Sequence, residues 1–82
     1  MNVAQLRLFA SAREVAGTSH DMVPGATVDE VLSAAVSRFG TDFARVLDTC
    51  RVWMNGEQVS GSTPVTDLDE VAILPPVSGG SL

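Results

Sequence analysis

The sequence has no lysine, one cysteine and one histidine, and these shortages exclude several kinds of chemistry. Without lysine, the chain has no ε-amine for a Schiff base, for a phosphate-binding loop or for an isopeptide bond made on itself. A single cysteine, Cys50, excludes an internal disulfide and a cysteine-based zinc site, and it is typical of a reducing cytosol. We predict that Cys50 is a small buried apolar residue, and that His20 is a solvated side chain and neither a metal ligand nor a base.

Basic residues are also few, and they are scattered. Ten acidic residues stand against five arginines, no two of which are adjacent. Because phosphate binding needs a clustered positive field, we expect no nucleic-acid partner. The sequence has no signal-peptide pattern and no apolar run long enough to span a bilayer, so we expect no membrane partner and a cytoplasmic location.

Apolar segments with a period of two predict a sheet of four to five strands. The Asn55-Gly56 pair is a strong signal for a two-residue hairpin turn. The predicted strands are Val3–Phe9, Thr18–Val23, Cys50–Met54, Glu57–Val59 and Glu70–Leu74.

One amphipathic helix is predicted between the second and third strands. Thr27 and Glu30 form a capping box at its start, an apolar stripe runs from Val28 to Phe39, and Gly40 ends it. The segment 10–16 is short and permits a helix, and we expect 41–47 to form one irregular turn with Phe43 and Leu47 pointing inward.

This order of elements predicts an α+β fold in which the helix covers one face of a mixed sheet. Both terminal strands are strongly apolar, so we place them side by side at the sheet centre, parallel because the crossover lies between them. The result is a β-grasp, or ubiquitin-like, fold. We predict a β-grasp domain over residues 1–76 and a flexible C-terminal tail over 77–82.

No catalytic nucleophile and base can be assembled from this sequence. Asp67, Asp69 and Glu70 crowd one turn and could suggest a cation site or a carboxylate pair, but we interpret them as ordinary turn and strand-entry residues.

The C-terminal stretch "LPPVSGGSL" remains to be explained. Pro75-Pro76 favours an extended course, and the glycines Gly79-Gly80 would pass a narrow tunnel in another protein and permit close backbone contact. A frayed terminus is the alternative interpretation.

At this point the sequence resembles the small, sulfur-carrying subunit of molybdopterin synthase (the MoaD type), which is related to the thiamin-pathway carrier and to ubiquitin. The spacing of Asp-Glu-Val, Pro-Pro-Val and Gly-Gly is the most specific feature. The matching stretches are Leu6–Thr18, Ala26–Gly40, Val52–Val59 and Leu68–Gly80.

The resemblance implies a non-catalytic carrier that binds no cofactor. An ATP-dependent adenylating enzyme would activate the carboxylate of Gly80, the acyl carrier that follows Gly79, and persulfide sulfur would then displace AMP to leave a thiocarboxylate. The tail would enter the molybdopterin synthase large subunit, where the sulfur builds the dithiolene of the molybdenum cofactor.

The resemblance also implies a docking surface on the sheet face opposite the helix. Phe9 and Leu74 match family positions there, and strand alternation places both on that face. Trp53 alternates outward in the same way, and Pro75-Pro76 joins this surface to the tail.

Ser81-Leu82 depart from the family pattern, because active members end at the second glycine with a free carboxylate. A peptidase could remove the two residues, the chain could bind partners without carrying sulfur, or the extension could be tolerated or incidental. A carrier for thiamin or cysteine biosynthesis and a non-carrier ubiquitin-like interaction module are the alternative functions.

Overall fold

The computed structural model describes residues 3–76, and within this range the chain forms five strands and three helices. The predicted strands are confirmed, with ends that differ by at most two residues. The elements are β1 (Val3–Leu8), α1 (Ala10–Ala16), β2 (His20–Pro24), α2 (Val28–Phe39), α3 (Thr41–Leu47), β3 (Arg51–Met54), β4 (Glu57–Gln58) and β5 (Glu70–Leu74).

The predicted helix α2 is confirmed together with its capping box. Thr27 Oγ1 accepts a hydrogen bond from the Glu30 amide at 3.3 Å. The Glu30 carboxylate reaches back and accepts from the Ala26 amide at 2.9 Å, one residue before the position that a standard capping box uses. Gly40 ends the helix, and its amide donates to the Val36 carbonyl at 2.8 Å.

Two short helices accompany α2, whereas the sequence predicted one helix. Gly40 has a φ of +99°, which lets the chain turn sharply and begin α3 at once. No side chain caps α3, but its Phe43 is fully buried and packs on the Phe39 ring, with centroids 5.1 Å apart. The segment 41–47 was predicted as one irregular turn, but it forms the helix α3. Burial of the Phe43 side chain stabilises this helix.

The sheet order is β2-β1-β5-β3-β4, with the two terminal strands adjacent near its centre. Strands β1 and β5 are parallel, in a register that pairs Leu6 with Val71 and Leu8 with Ile73, and every other strand pair is antiparallel among the described residues. The β-grasp topology predicted from the sequence is confirmed.

The helices cover one face of the sheet, and the core lies between the two layers. Leucine, isoleucine and valine side chains from β1, β5 and α2 meet there, and no polar side chain among residues 3–76 is buried with them. The core residues are Ala4, Leu6, Leu8, Ala12, Val23, Val28, Val31, Ala35, Phe43, Val65, Val71 and Ile73.

The acidic turn before β5 is held by hydrogen bonds to the hairpin between β3 and β4. Asp69 accepts from the Asn55 side-chain amide at 2.8 Å and, through its other oxygen, from the Thr66 amide at 2.8 Å. Asn55 also accepts from the Glu70 amide at 3.0 Å, so the hairpin and the start of β5 are joined. The Thr66 amide, with help from the Asn55 side chain, holds the pKa of Asp69 below its ordinary value.

We expect the Asp69→Asn variant to lose stability at neutral pH but not in acid. A carboxyl group whose folded pKa is lowered stabilises the fold above its unfolded pKa of about 3.9, and this contribution disappears as the pH falls through the folded value. The difference in unfolding free energy between the parent and Asp69→Asn should therefore be constant above about pH 5 and shrink below about pH 4. Urea unfolding at a series of pH values measures this difference.

Asp67→Asn is the matched control, because the exposed Asp67 side chain makes no hydrogen bond to any of the residues 3–76. A difference of the same size and pH dependence for both variants would contradict the assignment to Asp69.

Candidate functional site

Strand β5 leads from the sheet centre directly toward the predicted tail. Its residues alternate: Val71 and Ile73 are buried under the helices, whereas Ala72 and Leu74 are half-buried on the opposite side. After Leu74, Pro75 is half-buried and Pro76 is exposed. The predicted carrier residues at positions 79 and 80, and the whole predicted tail at 77–82, lie outside the described residues.

The side of the sheet away from the helices is called the open face. Pairing between strands places Arg7, Ala72 and Trp53 in one row across β1, β5 and β3. Leu74 pairs with Arg51 in the next row, toward the tail. The strand residues of the open face are Val3, Gln5, Arg7, His20, Met22, Pro24, Arg51, Trp53, Gln58, Glu70, Ala72 and Leu74.

Phe9 extends this surface beyond the end of β1. Its backbone is extended, with φ −127° and ψ 151°, so the alternation of β1 continues through it. Because Leu8 pairs with Ile73, Phe9 and Leu74 are the next positions on two adjacent parallel strands. Phe9 is 41% exposed although it is a large apolar residue. The structure thus brings Phe9, Leu74 and Trp53 to one side of the sheet, while their role in docking stays a prediction.

Within residues 3–76, three further large apolar residues are exposed that were not predicted from the sequence, namely Met22, Leu68 and, on α1, Val15. Met22 lies on the open face and is 50% exposed, and its alternation with the buried Val23 could have revealed it. Leu68 is 88% exposed in the turn before β5, and no sequence pattern marks it.

Charge is distributed unevenly around the open face. Arg7 and Arg51 both belong to it, and Glu70 is the one acidic residue of this face among the described strands. Arg7 Nη1 lies 3.5 Å from Glu70 Oε2, but both side chains are 46% exposed, so this ion pair is weak. The chain as a whole is acidic, with a net charge of −5. Its open face, by contrast, carries two arginines and one glutamate around an apolar centre.

The remaining candidate groups do not form a reactive centre. Cys50 is half-buried beside a cavity of about 460 Å³ between α2 and the β3–β4 hairpin, and its Sγ donates to the Val46 carbonyl at 3.1 Å. Burial raises the pKa of the Cys50 thiol, which disfavours the nucleophilic thiolate. The His20 ring is exposed, with Nε2 3.4 Å from Gln5 Oε1.

Neither a metal site nor a membrane span is found in the described part of the chain. Residues 3–76 contain no group of three or more histidine, cysteine, aspartate or glutamate side chains that could hold a metal ion. The acidic turn uses the Asp69 carboxylate for internal hydrogen bonds, as expected of turn residues. Of the helices in this range, none is long and apolar enough to cross a bilayer.

Comparison with known proteins finds relatives that match over most of the chain. Small archaeal modifier protein 1 of Haloferax volcanii is 37% identical in an alignment 84 positions long, which covers 90% of this chain and 97% of that protein. The molybdopterin synthase sulfur carrier subunit of Chlamydomonas reinhardtii is 35% identical over 77 residues, covering 88% of this chain and 92% of the relative.

Solved structures share the fold. The crystal structure of SAMP1 from Haloferax volcanii matches with a TM-score of 0.84 at 34% identity, over 95% of this chain and 99% of the other. The Amycolatopsis orientalis BexX/CysO complex contains a chain that matches with a TM-score of 0.80 at 27% identity, over 94% of this chain and 99% of the other. The ThiS family matches residues 6–80, which include both predicted carrier glycines, so the chain belongs to the ThiS/MoaD family of ubiquitin-like sulfur carriers.

Proposed function

We propose that this chain is the sulfur carrier subunit of a molybdopterin synthase, and that it carries sulfur as a thiocarboxylate on Gly80. The observation that carries the proposal is the family match through residue 80, together with 35% identity to a molybdopterin synthase sulfur carrier subunit over nearly the full length of both chains. The chain itself binds no cofactor in this scheme, and ATP is a substrate of the activating enzyme.

The proposed chemistry needs a free carboxylate at Gly80, so a peptidase first removes Ser81-Leu82. The Gly80 carboxylate attacks the α-phosphorus of ATP and pyrophosphate leaves, which gives an acyl adenylate. The terminal sulfur of a protein persulfide attacks the acyl carbon and AMP leaves. A second thiol then attacks the donor cysteine sulfur, so that a disulfide forms and the thiocarboxylate is released. Acids and bases for these steps come from the partner proteins.

In this scheme the folded domain positions the tail and binds the partners. Strand β5 is paired on both sides as far as Ile73 and with β3 at Leu74, so the point at which the chain leaves the sheet is fixed. The open face lies beside that point, with Phe9 and Leu74 nearest to the tail. Its arginines, Arg7 and Arg51, suit an adenylating enzyme and a large synthase subunit that place carboxylates around an apolar docking surface. The structural match to a chain of the BexX/CysO complex supports docking on a protein partner.

A second function is favoured by a different observation, the 37% identity to a small archaeal modifier protein. A modifier attaches its C-terminal glycine to an amine of another protein, and it shares the adenylation step with a sulfur carrier. Because this chain has no lysine, it cannot accept a second copy through a lysine isopeptide bond. The two functions differ in the nucleophile that displaces AMP, which is sulfur for a carrier and an amine for a modifier.

Mass spectrometry distinguishes these functions. We expect a form that ends at Gly80, incubated with ATP, an adenylating enzyme and a persulfide donor, to gain the mass of one oxygen-to-sulfur exchange. The full chain, which keeps Ser81-Leu82, is the control, and it should not gain this mass because its Gly80 carboxyl is an amide.

A glycyl-lysine adduct on another protein, with no sulfur exchange, would instead support the modifier function. Sulfur exchange on the full chain would contradict the need for a peptidase.

The docking role of the open face is tested with Phe9→Ala. Truncating an apolar residue that anchors an interface weakens binding by about tenfold or more, and we expect a loss of this size for the adenylating enzyme because Phe9 is the large exposed apolar residue beside Leu74. Phe9 lies outside the buried core, and its carbonyl, which accepts from the Ala12 amide, is kept in the variant, so the fold should persist.

Val15→Ala is the matched control, since Val15 is also an exposed apolar residue but belongs to α1 on the helical side. Isothermal titration calorimetry gives both affinities. If both variants lost the same affinity for the adenylating enzyme, or if only Val15→Ala lost affinity, the interface would not lie on the open face.

A further inference from the structure

Strand β2 forms one edge of the sheet. The hydrogen bonds of β1 show which backbone groups of β2 point away from β1 and toward solvent. The Leu8 amide donates toward β2, to the Ser19 carbonyl, and the Gln5 amide donates toward β5, to the Asp69 carbonyl. In an antiparallel pair the bonded positions alternate along each strand. With Leu8 opposite Ser19, the outward-facing residues of β2 are therefore His20, Met22 and Pro24, and of these Pro24 has no amide hydrogen and offers only a carbonyl.

Side chains cover the amide and the carbonyl of both His20 and Met22. Thr18 Oγ1 accepts from the His20 amide at 3.3 Å and donates to the His20 carbonyl at 2.9 Å. Asp21 Oδ1 accepts from the Met22 amide at 2.8 Å. Arg38 Nη1, which reaches across from α2, donates to the Met22 carbonyl at 3.0 Å.

Asp21 and Arg38 also hold one another in place. Arg38 Nη1 lies 2.8 Å from Asp21 Oδ2, so both carboxylate oxygens of Asp21 are used, one for Arg38 and one for the backbone of the edge. The Arg38 side chain is 46% exposed and the Asp21 side chain 29% exposed. The ion pair thus links the last turn of α2 to the free edge of the sheet.

We propose that Thr18, Asp21 and Arg38 form an edge guard, which keeps a second copy of this chain from pairing with β2. An uncovered edge strand is a template for another strand, and natural proteins block such edges with charges, prolines and very short strands. The same devices occur elsewhere in this sheet. Pro24, the next outward position of β2, has no amide hydrogen, and the opposite edge, β4, has two residues and begins with Glu57.

The geometry identifies a second copy as the partner that the guard excludes. Two β2 strands related by a two-fold axis could pair His20 of one chain with Met22 of the other, which forms four hydrogen bonds from the groups that the guard now covers. Met22 is 50% exposed and would add apolar contact at the same place. Such pairing would join two chains at the side of the open face, where a partner protein would otherwise bind.

The test is the self-association of a variant without the guard, Thr18→Val/Asp21→Val/Arg38→Leu. Sedimentation velocity over a concentration series should give a dimer dissociation constant at least about tenfold lower than that of the parent, because four backbone groups per chain become available. The control, Thr41→Val/Asp42→Val/Arg45→Leu, makes the same three exchanges on exposed residues of α3 and should behave as the parent.

A further substitution, Met22→Pro, identifies the surface involved. The Met22 amide points away from β1, so proline removes an intermolecular donor without removing a bond of the sheet, and it should restore the dissociation constant of the parent. If the triple variant does not fold, the single variant Arg38→Leu is used instead, with Arg45→Leu as its control. The dimer dissociation constants of these two variants are then compared in the same way. Unchanged association, equal association in the control, or association that survives Met22→Pro would overturn the proposal.

Discussion

The parallel pairing of β1 with β5 is the constraint on which the rest of the structure depends. These two strands come from opposite ends of the sequence, and their buried residues, among them Leu6, Leu8, Val71 and Ile73, form the sheet side of the core. Parallel strands require a crossover, and α2 supplies it while covering that core. The same pairing sets Phe9 beside Leu74 and fixes the point at which the chain leaves the sheet toward Gly79-Gly80.

The two faces and the two edges of the sheet differ in what they can contact. The helices close one face of the sheet, and the open face keeps an apolar centre with arginines around it. On the β2 edge, side chains cover the outward backbone groups of His20 and Met22, and the β4 edge is very short. These differences are consistent with the proposed docking through the open face and with membership of the ThiS/MoaD family.

The sequence predicted the elements that have a strong local pattern. Thr27, the apolar stripe and Gly40 defined α2, and positive φ values at Asn55 (52°) and Gly56 (89°) confirm the hairpin turn. Helix α3 was predicted only as a turn, because it depends on the burial of Phe43 against Phe39, a tertiary contact. The Asp21–Arg38 ion pair could not be predicted either, since it depends on the position of α2 over β2. The carrier role of Gly79-Gly80 rests on the family match, because these residues lie outside the described range.

Native-state hydrogen exchange tests the central claim most directly. Alternate amides of β5 face β1 and β3, so we predict that the amides from Val71 to Leu74 are the slowest to exchange, together with those of β1, and that α1 exchanges much faster. Protection that extends to Leu74 would mean that the last residue of β5 is held as firmly as the core. Rapid exchange at Ile73 and Leu74, with the slowest amides confined to α2, would contradict the account.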